Sequence, residues 1–175
     1  MNIPLNIYRF IFSLFFLGFS YSNFPSTKIQ YVVLGDTLSQ PYFRNLSLND
    51  THENIKYAVI HIHGSPGSYA YEQYNNMVTA LSTSGMQDST ILIAPVFPWQ
   101  DNIGENNLGD DVLFWSDSEW SSGDLSRNTQ SNPRPFRISS YSAIDTIYHR
   151  LIENNANLKR IVLTGHSSGS QMVVR

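Results

Sequence analysis

The stretch Arg160-Ile161-Val162-Leu163-Thr164-Gly165-His166-Ser167-Ser168-Gly169 decides how this chain is read. Its first half is a near-continuous β-branched run, the pattern of a strand buried on both faces of a parallel sheet. Its second half is Gly-x-Ser-x-Gly, and Ser170-Gln171-Met172-Val173-Val174 continues it as the start of a helix. A strand that turns sharply into a helix lifts the serine off the sheet edge. Gly165 and Gly169 keep side chains out of the place where strand and helix crowd each other. The N-terminus of the new helix favours negative charge developing at the serine. Ser167 is therefore the candidate nucleophile; the competing reading, a Gly/Ser-rich turn, does not explain the flanking strand and helix.

Working outward, residues 31–34, 57–62 and 91–94 form further short apolar runs that predict strands, with a weaker one within 42–48. Between them lie two helical patterns. In residues 71–81 the apolar positions are Tyr74, Met77, Val78 and Leu81. In residues 140–155 they are Tyr141, Ile144, Tyr148, Leu151 and Ile152, with Ser140 or Ser142 as the cap and Asn154-Asn155 as the end. Strands alternating with helices of this length predict βαβ units, hence an α/β fold with a mostly parallel sheet and flanking helices. Residues 97–137 fit neither period and hold all three tryptophans, Trp99, Trp115 and Trp120. This segment reads as a long loop or lid-like insertion. Its tryptophans either line the path of a substrate or pack as a structural cap.

The second motif is Val59-Ile60-His61-Ile62-His63-Gly64-Ser65-Pro66-Gly67-Ser68, a strand ending in His-Gly and a tight loop. Such a loop aims a backbone N–H across the sheet. Ser65 is the natural donor because Pro66 has none. With the N–H of Ser168, the residue after the candidate nucleophile, it makes an oxyanion hole. His63 reads as structural and not as the general base, and His61 as facing the sheet packing or a backbone partner. A metal site on His61 and His63 lacks a third ligand at a recognisable spacing.

Together the two motifs resemble the α/β-hydrolase superfamily over roughly residues 31–175. His63-Gly64-Ser65-Pro66-Gly67 looks like its oxyanion loop after the third strand, and Gly165-His166-Ser167-Ser168-Gly169 like its nucleophile elbow after the fifth. The serine sets the chain apart from the epoxide hydrolases and dehalogenases, which place an Asp there. The resemblance implies a serine hydrolase of the esterase/lipase type, acting on a small-molecule carboxylic ester or amide through an acyl-enzyme and needing no cofactor. In this superfamily the triad acid and histidine follow the serine. None of the five histidines, His52, His61, His63, His149 and His166, stands where the base belongs. The expectation is an N-terminal portion of the domain, with the C-terminal part missing, inactive and poorly soluble as it stands. The alternative is a catalytically inactive α/β-hydrolase-like binding protein. A nucleotide-binding domain lacks its glycine fingerprint and its phosphate-loop lysine here.

Composition sets the surroundings. Hydrophobic residues at 41% are enough for a core, and a net charge of -3 argues against a nucleic-acid partner. No Lys or Arg lies between Lys56 and Arg127, while Glu72, Asp88, Asp101, Glu105, Asp110, Asp111, Asp117, Glu119 and Asp124 do. A solvated loop surface accounts for this more simply than an approach that repels anionic substrates. There is no cysteine, which excludes a thiol nucleophile. Residues 1–22 read as a signal peptide. Arg9 precedes an apolar run over residues 10–19, too short for the roughly 20 residues of a span, and Ser20 and Ser22 precede a cut before Asn23. The implied product is secreted, without a stable membrane anchor after cleavage. Asn45-Leu46-Ser47 and Asn49-Asp50-Thr51 are two glycosylation sequons.

Overall fold

The computed structural model describes Pro25 and residues 28–175; the signal-peptide segment 1–22 and its cut site lie outside the described residues. Five strands, β1 (Gln30–Leu34), β2 (Leu38–Arg44), β3 (Tyr57–Ile62), β4 (Thr90–Pro95) and β5 (Arg160–Gly165), form one sheet in the order β1-β2-β4-β3-β5. The β-branched runs of β3, β4 and β5 pair in parallel. The β1–β2 and β2–β4 pairings are antiparallel, so the sheet is mixed. The helices are α1 (Ala70–Thr83), α2 (Gln100–Glu105), α3 (Ser140–Asn154) and α4 (Ser168–Val173). Among the described residues, no helix is long and apolar enough to cross a membrane.

β2 lies earlier than the weak pattern over 42–48 predicts. The reason is the turn before it: Gly35 and Asp36 both take positive φ and close a hairpin that pairs Leu34 with Leu38. Pro41 sits inside β2 and hides it from a propensity reading. The cap of α3 is Ser139, one residue before the serines expected, and its side chain accepts from the Tyr141 N–H at 3.2 Å.

Two cores cover the two faces of the sheet. On one, Ala58, Ile60, Ile62, Ile91 and Ile93 pack with Ala143, Ile147 and Leu151 of α3 and Met172 of α4. On the other, Phe43 and Ala94 pack with Ala70, Tyr71 and Tyr74 of α1. So α1, which follows β3, lies on one face, and α4, which follows β5, lies on the other. β3 and β5 are neighbours, with Ile62 level with Gly165. The gap between their carboxyl ends is a topological switch point, where open α/β sheets place ligands.

Residues 97–137 contain α2 and a 3-10 turn at Glu119–Ser122. Trp115 and Trp120 are fully buried and belong to the α3-side core, which is the structural-cap reading. Trp115 Nε1–H donates to the Asp124 carbonyl at 3.0 Å, and the Ser140 hydroxyl donates to the Trp120 carbonyl at 2.6 Å. The segment is stitched to β2 by Leu113 N–H to Ser39 C=O and Ser39 N–H to Asp111 C=O, both 2.9 Å, and to itself by Trp115 N–H to Pro98 C=O, 2.8 Å. It escapes a periodicity reading because single large anchors hold it, with no repeating face.

Candidate active site

Ser167 occupies the turn between β5 and α4 with φ 52° and ψ −117°, a sparsely populated region for a residue with a Cβ. Holding it there costs on the order of 1–3 kcal/mol, which the surrounding packing must supply. The supply is visible. A Cβ on Gly165 would run into the carbonyl group of Gly169, and a Cβ on Gly169 into the carbonyl of Ile62. The two glycines thus let α4 sit directly on the ends of β3 and β5. The His166 N–H donates to the Ile62 carbonyl at 3.0 Å, and the Gly169 N–H to the His166 carbonyl at 2.8 Å. Ser167 is exposed and Ser168 is buried at the first position of α4.

The loop after β3 lies against this turn. A Cβ on Gly64 would stand 2.9 Å from His166 Nδ1 and 3.1 Å from the Ser167 Cβ, so glycine lets the two segments meet without displacing the His166 ring. Gly67 is close to the Phe97 carbonyl, which a Cβ would approach to 3.0 Å. Between these glycines, Ser65 is half-buried and joined to Pro66 by a cis peptide. His63, Gly64, Ser65, His166, Ser167 and Ser168 are therefore brought to one end of the sheet, where the parallel register of β3 and β5 delivers both loops.

His63 is 1% exposed and uses both ring nitrogens. Nε2 accepts from the Phe97 N–H at 2.9 Å, so the proton is on Nδ1, which donates to the Gly64 carbonyl at 2.7 Å. Burial pushes its pKa down from 6.5 to about 4, partly offset by the bond to Gly64. The ring sits among aromatics, 4.8 Å from Trp120 and 5.8 Å from Phe97, and Phe97 stacks on Trp120 at 4.8 Å. His61 Nδ1 bonds the Thr164 hydroxyl at 2.9 Å across the β3–β5 pair. Burial, and then the nearby His166, holds its pKa below the usual histidine value. Among the described residues, no three His, Cys, Asp or Glu side chains gather as a metal site.

Sequence reasoning missed the groups that hold the loop: Gln73 of α1, Phe97 and Trp120. The Gly64 N–H donates to Gln73 Oε1 at 3.1 Å. Nothing in a helical stripe marks one half-buried glutamine as a loop partner, and an isolated Trp carries no positional signal. The sequons lie elsewhere. Asn45 is half-buried, and its side-chain amide is engaged on both sides, Nδ2–H to the Thr90 carbonyl at 2.9 Å and Oδ1 from the Leu92 N–H at 2.8 Å. Asn49 is exposed.

No family model matches the chain, and no curated protein matches it. Two solved structures are similar. One is poly(aspartic acid) hydrolase-1 from Sphingomonas sp. KT-1, at 14% identity and TM-score 0.49, covering 83% of this chain and 48% of that one. The other is a poly(3-hydroxybutyrate) depolymerase from Bordetella parapertussis, at 14% identity and TM-score 0.48, covering 88% of this chain and 50% of that one. The chain spans about half the length of either.

Proposed function

We propose that this chain carries the nucleophile and oxyanion-hole half of a secreted serine hydrolase acting on carboxylic esters or amides. One observation carries the reading: Ser167 at positive φ on a strand-to-helix turn, its two flanking glycines in backbone contact and the Gly64 loop against it. A Gly/Ser-rich turn with no function would not need a strained serine presented to solvent at a switch point. The hydroxyl of Ser167 attacks the substrate carbonyl carbon. The N–H groups of Ser65 and Ser168 receive the developing oxyanion, and the acyl group passes from the leaving alcohol or amine to Ser167.

Among the described residues, no histidine is hydrogen-bonded to the Ser167 hydroxyl, and His149 stands exposed on α3. His63 has both nitrogens engaged, His61 holds Thr164, and His52 Nε2–H is bonded to the Ser47 carbonyl at 2.8 Å. His166 adjoins Ser167, with its ring against Gly64. The reading therefore takes the base and acid from another part of the same polypeptide. The missing base is also what favours the second reading, an inactive binding protein of the same fold.

A fluorophosphonate probe separates the two. The full-length polypeptide that carries this sequence should be labelled, and Ser167→Ala should abolish labelling and lower kcat by about 10⁶. Loss of labelling in Ser168→Ala with retention in Ser167→Ala would move the nucleophile to Ser168. No labelling of the unmodified protein would favour the binding protein.

A further inference from the structure

We infer that Gln73 is a positioning residue for the oxyanion hole: it clamps Gly64 from the α1 side and so sets the direction of the Ser65 amide. This rests on the reading of Ser65 as an oxyanion donor. At Gly64 a Cβ would meet His166 Nδ1 at 2.9 Å and the Ser167 Cβ at 3.1 Å, so any larger residue would push on the His166 side chain and the serine turn. Glycine is also the residue with the most backbone freedom, so the hinge beside the nucleophile is intrinsically the loosest point of the loop.

The two peptide groups that flank the Gly64 Cα define its φ and ψ. The preceding one is held by the Gly64 N–H donating to Gln73 Oε1 at 3.1 Å. The following one is held by the Gly64 carbonyl accepting from His63 Nδ1–H at 2.7 Å. That second peptide group also contains the Ser65 N–H. Because it is trans, the N–H points opposite to the carbonyl, away from His63. With one plane pinned by His63 and the other by Gln73, both torsions of Gly64 are set and the Ser65 N–H has one direction. His63 also anchors Phe97 and the buried aromatics, so its loss would disturb the core. Gln73, half-buried on a helix, bonds the loop through its Oε1.

The test uses the full-length polypeptide with p-nitrophenyl acetate. Gln73→Met keeps the length of the side chain and removes the acceptor, whereas Gln73→Glu keeps an acceptor. Gln73→Met should lower kcat about 10- to 100-fold, less than the loss of a whole donor, with KM little changed. Its thermal midpoint should fall by about a few degrees, because the buried Gly64 N–H loses its acceptor, and exchange of the Gly64 amide proton should quicken. Gln73→Glu should restore most of the rate. Unaltered kcat and Gly64 exchange in Gln73→Met, in a protein whose Ser167 is labelled, would overturn the inference and leave the proposed function standing. An equal loss of rate in Gln73→Met and Gln73→Glu would also overturn it. Absence of Ser167 labelling before any substitution would instead overturn the proposed function.

Discussion

Strands β4 and β5 are written in nearly the same language, Thr-Ile-Leu-Ile-Ala-Pro and Arg-Ile-Val-Leu-Thr-Gly, and meet opposite fates. Every residue of β4 is buried. In β5, Val162 is 39% exposed and Leu163 37% exposed. Both strands pair in parallel with β3 through four or more residues. The difference is what lies beyond: β4 has β2 on its other side, and among the described residues β5 has no second strand neighbour. A β-branched run states that a strand wants two covered faces, and only its neighbours decide whether it has them. The proposed active-site turn sits at the tip of the less covered strand. Its rigidity comes from the glycine-to-backbone packing at the tip rather than from burial along its length.

The contrast yields its largest effect in core truncation. Ile93→Ala should cost about 2–5 kcal/mol, because Ile93 is fully enclosed between the helices and the sheet. Leu163→Ala should cost under about 1 kcal/mol, since much of that side chain is already in water. Denaturant midpoints of the two variants compare them directly. Equal losses would mean that β5 is covered in solution by something else.

A second effect concerns acid. His63 joins the tips of β3 and β4 as a neutral ring whose folded pKa, about 4, lies below its ordinary 6.5. The unfolded chain therefore takes up that proton first as pH falls. The contribution is complete above about pH 6.5 and is lost progressively toward pH 4, on the order of 3 kcal/mol in all. His63→Gln should be less stable at pH 7, with a flatter profile across this window. Parallel pH profiles of urea midpoints in the two proteins would remove His63 as the cause.

The smallest effect separates the two sequons in a eukaryotic secretory host. Asn45 continues the pairing along β4 with its side-chain amide, whereas Asn49 is exposed. Peptide mapping of the secreted product should find a glycan on Asn49, removed by Asn49→Gln, and none on Asn45. Occupancy of Asn45 would show that its bonds to Thr90 and Leu92 are not formed when the chain is modified.

The turn that carries Ser167 was legible because its glycines and serine fall within five consecutive residues directly after an apolar run. Gly165 is demanded by the Gly169 backbone four residues on, Gly169 by the Ile62 carbonyl of the neighbouring strand, and Ser167 stands between them at positive φ. The strands β3, β4 and β5 and the helices α1 and α3 were legible for a similar reason, since period and branching are properties of a short window. The hairpin was less so. Gly35-Asp36 marks its turn, but Pro41 disguises the strand that follows. The tryptophan-bearing segment misled because an aromatic residue in an irregular stretch fits a substrate path and a core anchor equally well.

By itself, then, the sequence determined which residues turn sharply, which run straight and which repeat every third or fourth position. Those depend on sterics and solvation along the chain. Tertiary structure alone decided that His63 is a buried, doubly bonded strut, that Trp120 packs against it at a tilt, that Gln73 reaches Gly64, and that Asn45 is tied to β4. Apart from the bond between His63 and Gly64, each of these joins residues on different elements. Its existence depends on the order β1-β2-β4-β3-β5 and on the two faces to which α1 and α4 return.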